Sequence, residues 1–300
     1  MAPENLKSSR IKSHFPPLPL RKKRFFRDGV GFSGSRSGFT LVEMSVVLVI
    51  IGLLILTVFP ALMVARTSSQ RALTQSNLQA LMNATAAYVQ ANGCVPCPTP
   101  ATTIGSGFGR VRGDTATAAC NNNCKAFEGI PPYVSLGIPA NVAHDGWGHW
   151  FTMRVDSALT ATTINVVPPT GVNGICQSGL SVANRVNVTT PGGATQQAAV
   201  IFVSHGSHGY GAYVADALAS MTHNSNGCRL NFPDVGRGCT QSLGCNLSNG
   251  GEALAQCNAD GQNQFVNAAQ QDGYDDMMVF ADRNTLVSML GNGTACQTVW

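Results

Sequence analysis

Hydrophobic positions fall into distinct regimes along this chain. From Phe39 to Ala65 they are almost unbroken, FTLVEMSVVLVIIGLLILTVFPALMVA, with Glu43 as the single charge. At about 1.5 Å rise per residue, such a helix is long enough to cross a hydrocarbon core of about 30 Å. The pattern therefore predicts a membrane-spanning or signal segment. Past Ala65 the chain turns polar but keeps a helical stripe, since Leu78, Leu81, Met82, Thr85 and Val89 follow the spacing of one amphipathic face. Asn92-Gly93 is a stop signal. One helix is predicted from about Phe39 to Ala91, its second half packing on a globular domain; a break at Pro60 would give two helices instead. Residues 93–132 are rich in Gly, Pro, Thr and Asn and predict loop. Strand-like runs follow at Trp147–Val155, Thr162–Val167, Ala198–Ser204 and Met277–Ala281. A sheet and an amphipathic helix each need an apolar partner. The fold class expected is α+β, a long N-terminal helix packed on an antiparallel sheet.

Charge orients this arrangement. Of 19 Lys and Arg residues, nine lie in residues 1–38, against only Glu4 and Asp28; the rest of the chain holds ten basic and thirteen acidic groups. The overall +4 thus belongs to the leader. Basic residues before an apolar run, with only Arg66 and Arg71 close behind it, place the leader in the cytoplasm and the C-terminal side outside. Clustered cations beside an apolar segment predict topology, and the Lys-poor remainder argues against nucleic acid as a partner. A cleaved secretory signal is the rival reading, but it wants a small-residue site after the run, where Met63 stands. All ten cysteines, Cys94, Cys97, Cys120, Cys124, Cys176, Cys228, Cys239, Cys245, Cys257 and Cys296, follow the apolar segment. An even number on one side of a membrane suits an oxidising compartment and disulfides. Pairing is not legible from spacing, and Cys94-Val95-Pro96-Cys97 with Cys120 and Cys124 nearby also admits zinc or a redox dithiol.

Ser37-Gly38-Phe39-Thr40-Leu41-Val42-Glu43 resembles the prepilin peptidase motif of type IV pilins and type II secretion pseudopilins. An isolated carboxylate inside an apolar run is a functional hypothesis by default. The resemblance implies cleavage between Gly38 and Phe39, N-methylation of Phe39, and a role for Glu43 in subunit docking, where a neighbour's new terminal amine would meet it. It further implies four regions: a removed basic leader at 1–38, a transmembrane segment at 39–65, an amphipathic continuation at 66–92 and a periplasmic domain at 93–300. A leader of 38 residues is long for this class; a later start or a cytoplasmic tail containing Pro16, Pro17 and Pro19 accounts for it. Asp145-Gly146-Trp147-Gly148 is similar to the Asp-Pro-Trp-Gly of major pseudopilins, with glycine in place of the proline. Segments from Gly129 to Pro139, from Val203 to Ala212 and at Tyr274-Asp275-Asp276 resemble large pseudopilin-like proteins.

Other chemistry is weighed against this. His205 and His208 form an HxxH pair, with His144, His149 and His223 as further ligand candidates, yet no second element supplies a recognised spacing. Ser204-His205 with Asp275 suggests a hydrolase triad, but no nucleophile elbow surrounds the serine. Gly206, Gly209 and Gly211 predict a turn with positive φ, not a phosphate loop. Asp260, Asp272, Asp275 and Asp276 form an acidic cluster that is either a weak calcium site or a solvated turn; apart from that calcium, no cofactor is expected. The sequence therefore predicts a structural subunit and not an enzyme, anchored in the inner membrane with its C-terminal domain in the periplasm. Its partners would be prepilin peptidase, other pilins or pseudopilins, the inner-membrane assembly platform and a secreted substrate. A surface adhesin or DNA-uptake minor pilin in an extracellular filament, and a tethered periplasmic enzyme, are the rivals.

Overall fold

A computed structural model describes residues 38–100, 103, 105–114, 124–160, 185–213, 247–248, 250–259, 261 and 263–289. The chain divides into two units, Met1–Leu56 and Thr57–Trp300.

The described part of the first unit is the start of α1, Leu41–Asn92, a helix of 52 residues. Its apolar residues are exposed, among them Leu48, Val49, Leu53 and Leu54. This is one helix long and apolar enough to cross a membrane. Pro60 sits inside α1 without ending it. The ring removes one backbone donor, but the helical pattern runs on through it.

In the second unit, α1 buries the predicted stripe. Leu78, Leu81, Met82, Thr85 and Val89 are all inaccessible or nearly so. The helix stops where Asn92-Gly93 predicts. Gly93 takes φ +74° and its N–H reaches Val89 O at 2.7 Å, the left-handed residue that closes many helices.

Among the described residues, seven strands form two sheets. The first has the order β1 (Glu128–Gly129), β2 (Thr152–Val155), β5 (Val200–Ser204) and β7 (Met277–Ala281), every pair antiparallel. The second has β4 (Thr195–Ala198), β3 (Val186–Thr189) and β6 (Gln264–Val266). Alternation along the strands explains the layering. Val200 and Phe202 of β5, with Phe151, Met153, Val155 and Ala281, pack with Leu78, Leu81, Met82 and Val89 of α1. Ile201 and Val203 point the other way, to Val186, Val188, Ala198 and Phe265 of the second sheet. β5 is thus buried on both faces, which is why it reads as a continuous apolar run. Two short helices, α2 (Gly251–Cys257) and α3 (Arg283–Met289), complete the described elements; Leu286 of α3 joins the α1 face.

Several expectations shift in detail. The run predicted at Trp147–Val155 is strand only from Thr152, because 146–148 form a turn around Asp145. The run at Ala198–Ser204 contains a corner at Ala199, where β4 of one sheet passes into β5 of the other. The three-stranded sheet was not foreseen, and its β3–β6 pair is parallel. Thr162–Val167 lies outside the described residues.

Candidate processing and assembly site

Gly38, Phe39 and Thr40 precede α1 and carry no regular structure. Phe39 is 79% exposed, and an added Cβ at Gly38 would meet nothing within 4 Å. The predicted scissile bond therefore lies in accessible, non-helical backbone, two residues before the first helical turn. What starts the helix is a reciprocal pair. Thr40 N and Thr40 Oγ1 both donate to Glu43 Oε2, at 2.8 and 2.9 Å, while Glu43 N donates to Thr40 Oγ1 at 3.2 Å. This is a capping box, Thr at the N-cap and Glu three residues on. The carboxylate also faces the positive end of the helix dipole. Glu43 is accordingly not the isolated group that the sequence suggested. Thr40 is the residue that the sequence reading missed, although a Thr-x-x-Glu before an apolar run is its signal.

The described cysteines are all oxidised. Cys97 bonds to Cys124, Cys94 and Cys257 are also disulfide-bonded, and no described cysteine is free. Cys97 is therefore bonded to Cys124 and not to Cys94, so the two do not form the internal CxxC disulfide of a redox dithiol. With the Thr99–Ile130 bridge and the Lys125–Asp114 ion pair, the Cys97–Cys124 bond ties residues 93–100 and 105–114 to residues 124–132. Cys120, Cys176, Cys228, Cys239, Cys245 and Cys296 lie outside the described residues.

The Asp-Gly-Trp-Gly turn acts on α1. Asp145 is buried, and its Oδ1 accepts from Trp147 N at 3.0 Å and His149 N at 2.9 Å, its Oδ2 from Ser204 Oγ at 2.7 Å. The turn so fixed presents Gly146 N to Thr74 Oγ1 at 2.9 Å. Asn77 Nδ2 donates to His144 O at 2.8 Å and Asn141 O at 3.2 Å. Glycine is required at 146 because a Cβ there would lie 2.2 Å from the Gln70 carbonyl oxygen.

The histidines and acids sort into separate contacts. Ser204 and His205 are fully buried; Ser204 is bound to Asp145, and His205 Nε2 lies 3.0 Å from Thr152 Oγ1 with Nδ1 3.7 Å from Asp276. Asp275 instead accepts from Ser207 N, Ser207 Oγ and His208 N, with His208 Nδ1 3.1 Å away. Ser204, His205 and Asp275, weighed in the sequence as a triad and set aside, do not come together. Gly206, Gly209 and Gly211 do take positive φ, and a Cβ on Gly206 would strike the Asp275 carboxylate. Asp276 accepts from Asn258 Nδ2 at 2.8 Å, inside a buried network with Tyr274 OH and Val266 O. Asp275 and Asp276 thus serve different neighbours, Asp272 is exposed, and Asp260 and His223 lie outside the described residues. Among the described residues, no three His, Cys, Asp or Glu groups converge as metal ligands. The Asp145 carboxylate, 3.6 Å from His149 Nδ1, raises that imidazole above its ordinary range against the opposing effect of burial. Burial holds His144 below its own.

Residues 34–59 match the prokaryotic N-terminal methylation motif. No curated protein and no solved structure matches the chain. The matched stretch covers the start of α1 and the apolar turns that fit membrane anchoring. On that motif the chain is a type IV pilin- or pseudopilin-like protein, a precursor of the kind that prepilin peptidase processes.

Proposed function

We propose that the chain is a structural subunit, a pseudopilin or minor pilin, of a type II secretion pseudopilus or type IV pilus. Prepilin peptidase cuts between Gly38 and Phe39, Phe39 is N-methylated, and residues 1–38 are lost. Residues 39–65 hold the subunit in the inner membrane, residues 66–92 continue the helix, and the domain at 93–300 stands in the periplasm. Glu43 takes part in docking to other pilins or pseudopilins at the inner-membrane assembly platform, and the outer domain meets secreted substrate or neighbouring subunits. The work is mechanical and recognitive.

One observation carries this reading: the methylation motif at 34–59 coincides with a helix that begins at Leu41, leaving Gly38-Phe39 exposed and outside it. A peptidase needs extended backbone at its scissile bond, and an intact helix turn would withhold it. Disulfides at Cys94, Cys97, Cys124 and Cys257 fit an oxidising compartment. The test is mass spectrometry of the chain extracted from membranes of cells with an active prepilin peptidase. The expected N-terminus is methylated Phe39, and Gly38→Ala should be processed poorly. An intact leader in those cells would overturn the proposal.

A further inference from the structure

We propose that Thr40 is the positioning residue for Glu43, fixing one carboxylate oxygen on its own helix end so that the other is presented to an incoming subunit. This rests on the assembly reading above and deepens it. Both hydrogen bonds from Thr40 fall on Oε2. Among the described residues Oε1 accepts none. A carboxylate has two oxygens and about four lone-pair sites, so the box leaves half of the acceptor capacity open on an exposed helix end.

The consequence is a division of labour within one side chain. A free glutamate on a helix start samples several rotamers, and ordering it at the moment of docking opposes association. In the capping box that ordering is already met within the subunit. Docking of a cationic partner then needs no opening of the cap, because Oε1 is available while Oε2 stays bound. The two roles are chemically separable. Glutamine also serves at the third helical position of a capping box, so Glu43→Gln keeps the helix start and removes the charge. Thr40→Val keeps the side-chain shape and removes the hydroxyl, whereas Thr40→Ser keeps the hydroxyl, and serine is a good N-cap.

The experiment uses the full chain with a photo-reactive residue at Val47, in cells carrying the peptidase and partner subunits. Measured on cleaved and methylated chains alone, cross-linking of Thr40→Val to neighbouring subunits should fall roughly 2- to 12-fold below wild type, the range expected from freeing one ordered side chain. Thr40→Ser should stay within about twofold of wild type. Glu43→Gln should fall at least as far as Thr40→Val, and adding Thr40→Val to it should change little, since the hydroxyl then has no charge to position. Cross-linking of Thr40→Val at the wild-type level, or an equal fall in Thr40→Ser, would overturn the proposal. A second measurement stands apart from assembly: amide exchange of the full chain in nanodiscs. The Glu43 amide should be protected in wild type and Thr40→Ser and lose protection in Thr40→Val; equal exchange in all three would show that the box does not hold. If wild type is neither cleaved nor cross-linked, the assembly reading fails by itself, and the exchange result still decides whether Thr40 positions Glu43.

Discussion

A single methyl group at Gly146 tests how the Asp145 turn grips α1. The added Cβ would lie 2.2 Å from Gln70 O and 2.7 Å from Gln70 C and Cα. All three are backbone atoms of a helix, so no side-chain rotation relieves the overlap. Either the turn lifts or α1 shifts, and in both cases Gly146 N retreats from Thr74 Oγ1, 2.9 Å away in the native contact. Overpacking of a filled contact costs about 1–3 kcal/mol. The hydrogen bond contributes about 1 kcal/mol. For a domain of this size, a loss of about 2–4 kcal/mol lowers the melting temperature by roughly 4–16 °C. The assay is thermal unfolding of the full-length chain in detergent, followed by near-ultraviolet circular dichroism, which reports packed aromatic side chains. Gly192→Ala is the control, because its Cβ would meet nothing within 4 Å and its φ is not positive. The control should melt within about 2 °C of wild type. Gly146→Pro should do worse than Gly146→Ala, since the ring also removes the N–H. Melting of Gly146→Ala together with wild type would refute the close approach to Gln70.

Two further outcomes follow from the domain. Non-reducing peptide mapping should recover Cys97 linked to Cys124, and Cys97→Ser should destabilise by about 2–4 kcal/mol; alkylation of Cys97 in the native, unreduced chain would contradict the bond. His149 is raised by Asp145, so its contribution is fully present below its unfolded value, about 6.5, and is lost as pH rises through the folded one. The stability difference between wild type and His149→Gln should therefore shrink as pH rises above about 6.5, and a difference that grows with pH would reverse the assignment.

Much of this architecture was legible because it depends on periodicity. The stripe from Leu78 to Val89 needs only one face of a helix to be apolar, and each member is buried where the spacing put it. Met277–Ala281 is a strand with the predicted bounds. What escaped prediction depends on partners remote in sequence. β6 has three residues, too few for an alternating pattern to stand out, and it is defined by pairing with β3. Val186–Thr189 alternates correctly but is short and polar on one face. The turn at 146–148 cut a predicted strand because the Asp145 side chain offers its own backbone a better acceptor than a neighbouring strand would. At the helix start, the reverse happened. The Thr40–Glu43 signal was local and readable, but a charge in an apolar run drew the reading toward an absent partner. The nearer one sits three residues away.

The polar groups of the outer domain point to the same division between structure and recognition. A nucleophile must reach its substrate, yet Ser204 and His205 have no exposed surface, and Ser204 donates to the Asp145 carboxylate while the His205 imidazole meets Thr152. Asp145 ties β5 to the turn that holds α1; Asp276 ties Asn258, beside α2, to the strand that follows it; Asp275 closes the loop after β5. Each carboxylate therefore joins elements distant in the chain and receives hydrogen bonds to match its burial. Removing Asp145 or Asp276, both buried, would leave their buried donors Ser204 Oγ and Asn258 Nδ2 short of a partner, a larger loss than the bond's net worth. Such groups specify how the sheets and α1 fit together.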